Sequence, residues 1–156
     1  MTILKIFIST IIAINCLSIK AMEPMEPWER VNMTEDEFIL ISSVVEAESN
    51  RDPENIEGRT MIAVCILNRV RDSRFPNTIT EVLCAPGQFS TVNRRTQTAV
   101  TSRTEISDQA VIEAYNWIEQ GDAPEVLYFN CRSYFSGIEP YACIGNNYFS
   151  CDGGIR

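Results

Sequence analysis

Glu57-Gly58-Arg59-Thr60-Met61-Ile62-Ala63-Val64-Cys65-Ile66-Leu67-Asn68-Arg69-Val70 is the stretch on which the fold turns. Within it Ile62, Cys65, Ile66, Arg69 and Val70 recur at helical spacing on or near one face. The helix follows a polar loop, Ser49 to Asn55, and stops before Phe75-Pro76, because the residue ahead of a proline is pushed out of helical geometry. Upstream, Thr34-Glu35-Asp36-Glu37 is a capping box with Phe38, Ile41, Val44 and Val45 behind it, which predicts a first helix over residues 35–47. Downstream, a short helix around Ile79 to Leu83 precedes the Pro86-Gly87 turn. Ser107 then caps a helix whose Ala110, Val111, Ala114, Trp117 and Ile118 form an apolar stripe, closed by Gly121. Val126 to Phe129 and Tyr148-Phe149 read as short strands in a loop-rich, cysteine-containing C-terminal part. The class is α+β, mostly helical.

The chain has 156 residues, 45% hydrophobic and 22% charged, an ordinary composition for one globular domain able to bury a core. Thirteen Lys+Arg against 21 Asp+Glu give a net charge of -8. Residues 1–21 hold two lysines and no acid, so without them the balance is 11 against 21, or -10. Nucleic-acid binding needs a basic patch that neutralises phosphates, and no basic run here is longer than Arg94-Arg95. There is no histidine, which removes Ser-His-Asp and Cys-His catalysis and imidazole metal sites. Acid–base chemistry must come from carboxylates.

Residues 1–21 read as a secretory signal: Lys5 is the positive start, Ile6 to Ile14 the apolar stretch, and Ala21 a small residue at the cleavage point. A retained signal anchor is the alternative. Residues 22–33 read as a linker, and 34–156 as the domain itself, a monomer exported to the periplasm or cell envelope or secreted. Export suits the cysteines. Cys131, Cys143 and Cys151 crowd the last segment and, with Cys84, provide for up to two disulfides, whereas Cys65 in its apolar helix reads as a buried thiol. Their spacing matches no zinc knuckle, and neither a metal nor another cofactor is expected.

Among the acids, Glu46 ends the first helix beside Val44 and Val45. Desolvation there should favour its protonated form, as a general acid requires. Glu57 stands just before the second helix, where a loop can fold it back beside Glu46; an acid at that place also simply favours the helix dipole.

The succession Glu46-Ala47, Glu57-Gly58, Ala63 to Val70, Phe75-Pro76-Asn77-Thr78-Ile79 and Pro86-Gly87-Gln88-Phe89-Ser90, followed by Leu127-Tyr128-Phe129-Asn130 and Ile144-Gly145-Asn146, resembles the SleB/CwlJ-type cell wall hydrolases, which include the spore-cortex-lytic enzymes. The resemblance runs from about Phe38 to Ser150. It implies a lysozyme-like fold shared with lytic transglycosylases, a peptidoglycan substrate, Glu46 as the catalytic acid and Glu57 as the family's second recurring glutamate. Where many members carry a histidine after the last Gly-Asn, this chain has Asn147, which can donate a hydrogen bond but cannot titrate.

Sugars are bound by amides, hydroxyls and aromatic faces, so Gln88, Ser90, Tyr128, Asn130, Asn146 and Tyr148 are the candidate glycan contacts. Asn68-Arg69 reads as scaffolding, with the guanidinium satisfying loop carbonyls. A hydrolytic muramidase needs a second carboxylate ~5 to ~9 Å from the acid. A lytic transglycosylase needs only one, because the C6 hydroxyl of the muramic acid attacks. The expected function is cleavage of the muramic acid to glucosamine bond, most simply by transglycosylation. Muramidase hydrolysis and a catalytically silent wall-binding or inhibitor module are the alternatives.

Overall fold

The structure is a computed structural model that describes residues 25–49 and 55–151. The signal-like segment 1–21 and Cys16 lie outside the described residues. The first helix, α1 (Glu35–Glu48), begins at the capping box read from the sequence: Thr34 Oγ1 accepts from Glu37 N, and the Glu37 carboxylate accepts from Thr34 N. Helix α2 (Ile56–Arg71) is buried almost all round from Gly58 to Leu67, the mark of a central helix rather than an amphipathic surface one. It packs against α1, α3 (Ile79–Cys84) and α4 (Glu105–Gln120), and against strand β3 (Val126–Asn130). Phe38, Ile41, Val44, Met61, Ile62, Ile66, Leu83 and Phe149 are the fully enclosed centre of this core. Helix α4 starts at a Thr104 cap, three residues before the expected Ser107, which instead sits at the third helical position and completes a reciprocal capping pair.

The described residues also form two small antiparallel sheets. Strands β1 (Val92–Asn93) and β2 (Thr98–Ala99) form a hairpin, and β3, β4 (Pro140–Ile144) and β5 (Asn147–Cys151) form a sheet in the order β3-β5-β4. The two-residue turn Gly145-Asn146 joins β4 to β5 with positive φ at both residues, 56° and 63°, the twist that matches a tight hairpin. Against expectation, part of the 22–33 stretch belongs to the domain: Pro27–Val31 forms a 3-10 turn, Val31 is fully buried, and Trp28 and Met33 pack on the core.

The expected C-terminal disulfide is absent among the described residues, where Cys65, Cys84, Cys131, Cys143 and Cys151 are free thiols. The sheet explains why. Cys143 pairs in register with Tyr148, so Cys151 lies three residues further along the neighbouring strand, roughly 10 Å away at strand rise. Cys131 follows Asn130, which pairs with Tyr148 from the opposite side, leaving β5 between Cys131 and Cys143. A disulfide needs Cα atoms within about 7 Å.

Candidate active site

Glu46 and Glu48 leave α1 about 200° apart, at 100° per residue. Glu46 turns toward the start of α4. Arg59 Nε donates to its Oε2 at 3.2 Å and Arg59 Nη2 to its Oε1 at 3.1 Å, while Thr104 Oγ1 donates to Oε2 at 2.7 Å. The Arg59 side chain is 1% exposed and that of Glu46 15%. Burial raises the Glu46 pKa, but the Arg59 and Thr104 hydrogen bonds and the Arg59 charge outweigh it, leaving the carboxyl below its ordinary range. This reverses the expectation of a protonated Glu46. The carboxylate and the buried guanidinium join α1 to α2 and α4.

Glu48 points elsewhere. It lines an open cleft of about 360 Å³ together with Ala47, Arg69, Gln88, Asn130, Asn146 and Asn147, and is the only carboxylate among the described residues that do so. Burial pushes its pKa up, and a hydrogen bond from Thr91 Oγ1 to Glu48 Oε1 at 2.7 Å lowers it part of the way back. The result is a carboxyl held above its ordinary range at the edge of a polar cleft. The signal for it was in the spacing: Glu48 is four residues past Val44 and three past Val45, hence on their face, whereas Glu46 is not.

Arg69 is the post on which the opposite wall stands. It is buried, its Nε donates to Leu127 O at 2.7 Å, and its Nη1 donates to Gln88 Oε1 at 3.0 Å. Its guanidinium lies over the rings of Phe75, Phe89 and Tyr128 at 5.4, 5.5 and 5.8 Å. Asn68 Nδ2 donates to Pro124 O and Val126 O, tying the approach to β3 to the same helix. The scaffolding read for Asn68-Arg69 is thus present, and it orients Gln88.

On the third side the Gly145-Asn146 turn brings Asn146 and Asn147 to the cleft. It does so by resting on the start of α2: a Cβ built on Gly58 would stand 3.2 Å from Gly145 Cα, and one built on Gly145 would stand 3.2 Å from both Gly58 Cα and Asn55 Nδ2. Asn55 Oδ1 in turn accepts from Gly58 N at 2.8 Å, capping α2. Glycine at both places lets the turn approach this closely, and the positive φ of Gly145 favours glycine there as well.

Of the residues predicted from sequence, the cleft therefore gathers Gln88, Asn130 and Asn146. Ser90 is exposed and outside its lining. Tyr128 packs among Phe75, Phe135 and Arg69, and Tyr148 packs edge-on against Tyr134 at 5.1 Å, both outside the lining. Glu57 lies on a different groove, with Thr60, Glu113, Trp117 and Tyr141.

Residues 53–150 match the family model described as Cell Wall Hydrolase. The chain belongs to the cell wall hydrolase family. Two curated spore cortex-lytic enzymes of Bacillus cereus are each 34% identical to this cell wall hydrolase over 98 residues, which is 62% of this chain and 36% of theirs. The chain thus spans little more than a third of the length of those relatives. The crystal structure of the catalytic domain of the Bacillus cereus SleB protein is similar at 26% identity and TM-score 0.60, covering 75% of this chain and 91% of that one. The catalytic domain of the germination-specific lytic transglycosylase SleB from Bacillus anthracis is similar at 25% identity and TM-score 0.59, covering 75% and 95%. The family match begins downstream of α1, which carries Glu46 and Glu48.

Proposed function

We propose that this cell wall hydrolase cleaves the bond between N-acetylmuramic acid and N-acetylglucosamine in peptidoglycan as a lytic transglycosylase, with Glu48 as its single acid and base. The observation that carries the reading is that Glu48, held above the ordinary carboxylate range by burial, is the only carboxylate among the described residues lining the cleft. Protonated Glu48 gives its proton to the glycosidic oxygen as the C1–O bond breaks. The resulting carboxylate takes the proton of the muramic C6 hydroxyl, whose oxygen closes on C1 to form a 1,6-anhydro ring. Protons balance, no water is consumed, and no second carboxylate is required.

The amides do the remaining work. Gln88, fixed by Arg69, and Asn130, Asn146 and Asn147 offer donors and acceptors to acetamido and hydroxyl groups. Asn147 is buried at the cleft and carries no charge at any working pH. Export through residues 1–21 is the proposed route to the substrate.

Mass spectrometry of purified peptidoglycan digested by the protein tests the chemistry. Anhydro-muramic ends are expected; reducing muramic ends would make it a muramidase, and no products would make it a wall-binding module.

A further inference from the structure

A second groove, of about 440 Å³, runs between α1 and the β1–β2 hairpin. Its walls carry Ser43, Thr98, Thr101 and Ser102, and its apolar strip is Ile39 and Val100, side chains left 38% and 70% exposed. Among the described residues the one carboxylate in its lining is Asp36, at the far end of α1 from Glu48. Hydroxyls and an amide beside an exposed apolar strip match the two faces of a sugar ring, which presents hydroxyls at its edge and C–H groups on its face. The groove is tied to the acid by hydrogen bonds. Val100 N donates to Thr91 O at 2.8 Å, and the hydroxyl of that same Thr91 holds Glu48. On the helix side, Ser43 of the groove and Ala47 of the cleft are one turn apart on one face.

We infer that this groove is a remote subsite for sugar units of the same glycan strand, beyond those flanking the bond that is cut. The inference rests on the proposed glycosidase reading. A strand lying along α1 passes from the hairpin groove across Thr91 to Glu48, so long strands gain contacts that a short oligosaccharide centred on the cleft lacks. The hairpin then acts as a selector for chain length.

The test is Val100→Asp, a change at an exposed position that takes the more exposed side chain out of the apolar strip and adds a charge without touching the core. The ratio of kcat/KM on long glycan strands stripped of peptides to that on a tetrasaccharide should fall by about tenfold, the size of one lost apolar contact. An unchanged ratio overturns the inference. A loss seen only on strands that keep their peptides overturns the glycan assignment in favour of the peptide stem. Binding of the stripped long strands to Glu48→Gln and to the Glu48→Gln/Val100→Asp double variant supplies an arm that needs no turnover. Weaker binding by the double variant supports the groove even if wild type cleaves nothing, in which case it is the glycosidase reading that fails. Equal binding by the two overturns the groove.

Discussion

Arg59 grips Glu46 through two nitrogens, at 3.1 and 3.2 Å, from a position that is 1% exposed to solvent. The guanidinium cannot lose its proton, so the carboxylate stabilises its buried charge. Glu46→Gln should therefore destabilise the fold by roughly 1–3 kcal/mol, through a weakened partner for a buried cation. Urea denaturation measures it, and folded Glu46→Gln protein should still cleave peptidoglycan.

Acid should expose the same pair. The Glu46 pKa is depressed in the folded protein, so its contribution is complete above the unfolded carboxylate value and is lost as pH falls through the folded one. Wild type should lose stability more steeply than Glu46→Gln below about pH 4.5, where unfolded glutamate titrates. Parallel denaturation midpoints across that range would contradict this.

Glu48 has the opposite sign. Its raised pKa means that activity needing the protonated form falls as pH rises through it. The Thr91 hydrogen bond lowers that pKa, so Thr91→Val should move the alkaline limb of the pH–rate profile to higher pH and reduce kcat, while Thr91→Ser should restore both. A lower rate with an unmoved limb would leave Thr91 a structural residue only.

Gly145→Ala places a methyl 3.2 Å from Gly58 Cα and from Asn55 Nδ2 at a φ of +56°. The left-handed conformation alone costs roughly 1–2 kcal/mol for a residue with a Cβ. Stability should drop by at least that much, and glycan affinity with it, because the same turn brings Asn146 and Asn147 to the cleft.

Thiol titration should recover every described cysteine as free. Cys131 and Cys143, which are exposed, should react at once. Cys65 should react only on unfolding, since burial pushes its pKa to about 11.

The helices were legible because each carries its own start signal and a face at the right period: Thr34 with Glu37 for α1, and an unbroken apolar run for α2. The scaffold role of Asn68-Arg69 was legible too, since a guanidinium in a buried helix must find acceptors. Strands β1 and β2 were not, because two residues apiece are too few to show alternation. Strand β4 opens on Pro140, which is compatible with its edge position but removes the usual strand pattern. At the site, sequence brought the cleft amides within reach but credited Glu46 with the apolar face that belongs to Glu48. Which way two acids on one helix point depends on a rotation, and the partner that claims Glu46, Arg59, lies 13 positions away.

In the proposed reaction Glu48, and not Glu46, carries the proton. The most direct measurement is release of soluble muropeptides from purified peptidoglycan by wild type, Glu48→Gln and Glu46→Gln, each first shown to be folded. Glu48→Gln should lose at least about a hundredfold in rate, the scale of a general acid, with stability equal to or above wild type because a carboxyl whose charged form burial disfavours is gone. Glu46→Gln should stay within about tenfold of wild type once corrected for its folded fraction. The reverse ranking, with Glu48→Gln active and folded Glu46→Gln inert, would contradict the account.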